Sequence, residues 1–89
     1  MSEENEMKRE ELFEVVLLKE GVSEHDAKTT DFKRVAVSAR DPLQALMHKD
    51  AEVKGYRKLM AAKPGIPIEA EVMARRRELD AAGHTHRGI

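Results

Sequence analysis

The sequence predicts a small α+β fold: an antiparallel sheet in β-β-α-β order, followed by a C-terminal helical arm. Three observations carry this. Leu12 to Lys19, Asp31 to Ala39 and Tyr56 to Ala62 are short, rich in apolar residues, and of strand length. Asp41-Pro42, between the second and third of these, is a helix start: Asp caps, and the fixed φ of Pro suits the first helical position. Pro67 opens a last stretch with helical spacing of apolar residues, and Gly83 marks its expected stop.

Each element follows from its residues. In Leu-Phe-Glu-Val-Val-Leu-Leu-Lys, one face carries Phe13, Val15 and Leu17, and the other Leu12, Val16 and Leu18. A strand apolar on both faces belongs in the centre of a sheet or under cover on each side. Glu20 to Thr30 is a turn-forming connector, so the first two strands pair most simply as an antiparallel hairpin with a long, mobile loop. In the second strand Val35, Val37 and Ala39 share one face, and Phe32, Arg34, Ala36 and Ser38 the other. Leu43, Leu46 and Met47 form a stripe for packing the first helix on the sheet, and that helix is expected to end between His48 and Lys54. Gly55 breaks the chain before the third strand, in which Tyr56, Lys58 and Met60 alternate with Arg57, Leu59 and Ala61. The Pro64-Gly65-Ile66-Pro67 cluster turns it. The last helix has a thin stripe of Ile68, Val72, Leu79 and Ala82, with Glu71 and Arg75 spaced for an i,i+4 pair. Three segments result: an acidic tail at 1–11, a compact unit at 12–62, and a helix with a polar tail at 63–89.

Composition narrows the function. The chain has 89 residues, 40% hydrophobic and 37% charged, with three aromatic residues and no Trp. Such a chain holds one small core. Cysteine is absent, which removes disulfides, thiolate nucleophiles and the common zinc ribbons. The N-terminus has neither the basic start nor the apolar stretch of a signal peptide, and no apolar run is long enough to span a bilayer. An intracellular or virion setting is therefore expected. The net charge of −1 conceals segregation: residues 1–14 sum to −4, residues 15–32 to −2, and residues 33–63 to +5.

No catalytic constellation emerges. His84-Thr85-His86 brings two imidazoles near one another with no third ligand beside them. The serines lack a glycine-flanked elbow, the paired carboxylates are two residues apart on helices, and no glycine-rich phosphate loop is present. The expectation is a non-enzyme without cofactor, metal or small-molecule substrate. Nucleic acid is a partner to weigh, because alternation puts the cations Arg34 and Lys58 on one sheet face with the rings of Phe32 and Tyr56. Protein is the favoured partner, as another copy or another component. Arg75, Arg76 and Arg77 on the last helix and Glu3, Glu4 and Glu6 in the tail are the candidate contacts.

The stretch Phe32-Lys33-Arg34-Val35-Ala36-Val37-Ser38-Ala39-Arg40-Asp41-Pro42-Leu43-Gln44-Ala45-Leu46, with Gly55-Tyr56-Arg57 after it, resembles small accessory proteins of tailed bacteriophages. The resemblance covers about residues 32–66, and it implies a strand running through an Asp-Pro cap into a helix and on to a further strand. It also implies a phage setting and a binding rather than catalytic role. The sparse core, the charge-segregated ends and the absence of catalytic constellations then favour a minor structural component of a phage virion or similar assembly. An inhibitor that binds a host enzyme or defence complex is the alternative. No functional residues are carried over.

Overall fold

The structure, a computed structural model, describes residues 9–87, with side chains through residue 82. Its elements are β1 (Glu11–Lys19), β2 (Phe32–Ala39), a short α1 (Pro42–Leu46), β3 (Tyr56–Ala62) and a long α2 (Glu69–Arg87). Single 3-10 turns at Thr29–Asp31 and Lys49–Ala51 join them. The three strands form one antiparallel sheet in the order β2-β1-β3, so β1 is central as its two apolar faces require.

Register fixes which residues meet. β1 pairs with β2 without interruption, from Glu11 opposite Ala39 to Leu18 opposite Phe32. With β3 the pairing runs from Glu14 opposite Ala62 to Val16 opposite Met60, then slips and resumes with Leu17 opposite Lys58. Leu59 is the extra residue of this bulge. A bulge shifts side-chain parity by one, so the simple alternation expected along 56–62 fails there. Tyr56 and Lys58 lie on the Leu17 face, and Met60 lies on the Val16 face.

Each face of β1 has its own cover. Phe13, Val15 and Leu17 pack with Val37, Ala39 and Ala61 beneath the buried Ala45 of α1 and Ala51 of the following 3-10 turn. Val16 packs with Ile68 and Ala70 at the start of α2, with Phe32, Leu59 and Ala62 around them. Val15, Val16, Leu17 and Leu18 are fully buried in succession.

Asp41 caps α1 as expected, its carboxylate accepting from the Gln44 N–H at 2.7 Å. The helix is shorter than expected, however. His48 takes an extended backbone, and its Nδ1 accepts from the Asp50 N–H at 3.1 Å, so it caps a separate turn. In a helix of five residues the expected stripe has no second turn to continue on. Ala45 turns inward, while Leu43 and Met47 stand 67% and 73% exposed.

α2 also departs from expectation at both ends. Pro67 precedes the first turn. The Ile68 carbonyl accepts the first helical bond from Val72, and the Glu71 carboxylate accepts from the Ile68 N–H, the second half of a capping box. Gly83 keeps helical backbone, and the helix runs on to Arg87. Glycine stops a helix when it takes positive φ, and inside a helix it only costs about 1 kcal/mol.

The 20–31 connector is tied down along its length. Arg57 donates to the Val22 carbonyl at 3.1 Å, and Arg77 of α2 donates to the Ala27 carbonyl at 2.5 Å. Glu78 accepts from both the N–H and the hydroxyl of Thr29. These ties replace the mobile loop expected from the sequence.

Truncating the central strand separates core from surface. Leu17→Ala is expected to destabilise by about 2–5 kcal/mol, and Leu43→Ala by less than about 0.5 kcal/mol. Urea unfolding of the two variants checks this.

Candidate interaction surface

The densest polar cluster lies between the sheet and α2. Arg34 on β2 sits across from Val16, so it projects from the α2 side of the sheet. Its guanidinium donates to Glu14 of β1 at 2.7 Å and to both oxygens of Glu71 of α2, at 3.1 and 2.5 Å. A fourth bond reaches the Ile66 carbonyl at 2.6 Å. Lys63-Pro64-Gly65-Ile66 forms a closed turn, with the Ile66 N–H donating to the Lys63 carbonyl. Gly65 has φ +81°, a conformation open to glycine at the third position of such a turn. That backbone aims the Gly65 N–H at Glu14, at 3.1 Å.

The electrostatics follow from these bonds. The Gly65 N–H, and then Arg34, hold the Glu14 carboxyl below its ordinary value. Burial pushes Glu71 up, but the hydrogen bonds from Arg34 and the Ile68 N–H outweigh it and leave it lowered. Glu71, and then Glu14, raise Arg34 further above the neutral range. Both carboxylates are therefore ionised at neutral pH, and neither is poised to donate a proton. The Glu71–Arg75 pair foreseen from spacing is replaced by Glu71–Arg34, and Arg75 acts on Glu71 only through its field.

An open cleft of about 630 Å³ adjoins this cluster, with Thr29, Pro67, Val72 and Arg75 on its walls. Its strongest donors and acceptors already bind one another. The cluster is thus a joint between sheet and helix. Among the described residues no group of three His, Asp or Glu side chains is placed to hold a metal ion.

The four residues expected to form a nucleic-acid face do not come together. Phe32 and Arg34 lie opposite Leu18 and Val16, on the α2 side. Tyr56 and Lys58 lie opposite Lys19 and Leu17, on the α1 side. The sequence pattern specifies alternation within a strand, but not the phase between strands. Lys58 is moreover bonded to the Leu46 carbonyl and to Glu52.

The arginine triplet divides by function. Arg77 points to the sheet side and is spent on the carbonyls of Glu24 and Ala27. Arg75 rims the cleft, and Arg76 is exposed. The apolar stripe of α2 faces the other way from its docked side. Ala70 and Ala74 are buried, and Val72, rotated about 200° from Ala74, is 40% exposed at the outer wall of the cleft. Leu79 returns to within about 20° of Val72 seven residues on and is 63% exposed. Of the expected stripe only Ile68 enters the core. Glu3, Glu4 and Glu6 lie outside the described residues. Three further acids of the N-terminal region have partners within the chain: Glu10 accepts from Ser38, Glu11 pairs with Lys63, and Glu14 pairs with Arg34.

Glu14, Glu78 and Thr29 were not marked by any motif, and Glu71 only by its spacing to Arg75. Glu14 carries the one usable signal, an acid in the middle of an apolar central strand, which requires a partner.

Fold and surface together define a small α+β domain, a three-stranded antiparallel sheet with a long helix docked on one face. No family model, no curated protein and no solved structure matches the chain. Among the described residues no helix is long and apolar enough to cross a membrane.

Because both carboxylates titrate lower when folded, their stabilisation is full above their ordinary value of 4.5 and is lost as pH falls through the lowered values. Urea midpoints measured against pH are expected to fall below about pH 4.5, and Glu14→Gln combined with Glu71→Gln to flatten that fall. Arg34→Met, which leaves two facing carboxylates without their cation, is expected to cost about 2 kcal/mol at pH 7.

Proposed function

We propose that this chain is a non-enzymatic protein–protein interaction module, a minor structural component of a phage virion or a similar assembly. The outward side of α2 carries the interaction reading. Val72 and Leu79 stand exposed on the side of the helix opposite its docked alanines. Arg75 and Arg76 flank them. A helix needs one apolar face to dock, and this one docks through Ile68, Ala70 and Ala74 with polar ties from Arg77 and Glu78. The second apolar stripe is therefore surplus to the fold of the monomer, and an apolar patch rimmed by charge is the usual form of a protein contact.

The partner this surface suits is another protein chain presenting acidic and apolar groups together. A second copy apposed antiparallel through the same stripe is disfavoured, since Val72 would meet Leu79 only by bringing Arg75 against Arg76 of the other copy. Nucleic acid is the weaker reading, because Arg34, Lys58 and Arg77 are committed to groups within the chain. The virion setting rests on the resemblance of residues 32–66 to phage accessory proteins, and it places the chain in the particle or the host cytoplasm.

Val72→Gln with Leu79→Gln is expected to change folding stability by less than about 0.5 kcal/mol, since Gln is a good helix former and both sites are exposed. Affinity for the neighbouring protein in the particle is expected to fall at least about tenfold. Mass spectrometry of purified particles, followed by binding measurements on the neighbour cross-linked to this chain, checks both points. Absence of the chain from particles overturns the virion setting. Unaltered affinity in the double variant overturns the assignment of the surface.

A further inference from the structure

We infer that the free edge of β2 pairs with β2 of a second copy, antiparallel, to make a continuous six-stranded sheet across a two-fold axis. This rests on reading the chain as a protein–protein module, but it concerns a different surface from the α2 stripe.

A three-stranded sheet with β1 in the centre leaves two edges. Natural edges are guarded by charge, proline, bulges or a covering element. The β3 edge has one such guard, the bulge at Leu59. On β2, α1 and the Lys49–Ala51 turn cover the face that carries Val37 and Ala39, but the strand has no interruption of its own. Phe32–Ala39 contains no proline, and its pairing with β1 is unbroken over eight residues.

The two cations of β2 do not guard the edge, because both are drawn back over the sheet. Arg34 is held by Glu14 and Glu71 on the α2 face. Lys33 reaches across the other face to the ring of Tyr56 on β3, its Nζ 5.5 Å from the centroid. What remains along the edge is small and uncharged: Val35, half-buried, the exposed Ala36, and the exposed Ser38, whose hydroxyl donates to Glu10. An eight-residue edge with its charges withdrawn is a template for another strand.

The strand is also complementary to itself. With Ala36 on the two-fold axis, Val35 lies opposite Val37 of the second copy, and parity keeps each residue on its proper face. Lys33 then meets Ala39 and Arg34 meets Ser38, so no like charges face each other. Val35 of each copy completes its burial against the Val37 core already formed beneath α1. One strand pair makes a small interface, below about 1,200 Å², and such contacts are weak.

Sedimentation of the full chain is expected to show a monomer–dimer equilibrium between about 10 µM and 1 mM. Ala36→Lys puts two ammonium groups on the axis, so dimerisation is expected to weaken at least about tenfold. Met60→Lys, on the guarded edge, is expected to leave it unchanged. The chain has no cysteine, so Ala36→Cys supplies a single thiol. Antiparallel neighbours sit about 4.5–5.5 Å apart at Cα, within disulfide range. Mild oxidation is expected to link the Ala36→Cys protein into dimers, and a Lys54→Cys control to stay monomeric. The cysteine pair serves if Ala36→Lys fails to fold. A monomer throughout this range, with no cross-link at position 36, overturns the proposal. A monomer that still binds a different protein through α2 overturns it while leaving the α2 reading intact. Loss of a different protein's binding in Ala36→Lys reassigns the edge to a foreign strand and overturns the second copy.

Discussion

The run Val15-Val16-Leu17-Leu18 sets the constraint on which the rest depends. Four consecutive fully buried residues in a strand bury both of its faces. Such a strand is central and covered twice, and 89 residues leave little chain to do it. One cover is five residues of helix and a 3-10 turn, whose alanines let the backbone approach closely. The other is the first turns of α2. Small residues on the covers and large ones on the central strand are the same solution on both sides. The core is thin, so its stability depends on polar ties at its edges.

Those ties lie along one line, from the Gly65 turn through Arg34 to the Thr29 turn. Arg34 joins a strand, a helix and a turn through four bonds. The guanidinium is partly shielded, so breaking one partnership leaves another charge without compensation, and the cluster acts as a unit. Farther along the helix, Arg77 and Glu78 bind the connector at Ala27 and Thr29. The helix thus holds the loop that joins β1 to β2, and the loop in turn orients the helix. Polar groups position α2, and its own apolar stripe is left for solvent or a partner.

Much of this was legible beforehand, and the limits have physical reasons. The central place of β1 followed from apolar residues on both faces. The β1–β2 hairpin, the Asp41 cap and the bounds of β3 followed from turn and capping chemistry. The length of α1 did not, because His48 competes for the backbone through a local bond that no periodicity records. The phase of β3 against β2 was also hidden: a bulge is a property of pairing, so Arg34 and Lys58 looked like neighbours and lie on opposite faces. The stripe Val72–Leu79 was visible, but its direction was not. The docking side is instead Ala70 and Ala74, outside that stripe, because small side chains are what a close helix–sheet approach requires.

The ties between α2 and the connector bear on the order in which the molecule is made. Synthesis runs from the N-terminus, so the sheet is complete in sequence once Ala62 is present. At that stage the face of Val16 and Phe32 has no lid, and Arg34 has only Glu14 to bind. Ile68 and Glu71 must follow before the face is covered, and Glu78 before the connector is fastened. For that interval the nascent chain shows an open apolar sheet with bare edges, the surface on which chaperones act and along which growing chains mispair. The stretch from Ile66 through α2 is thus the fold's own holding device, made after the sheet and closing what the first sixty residues leave open.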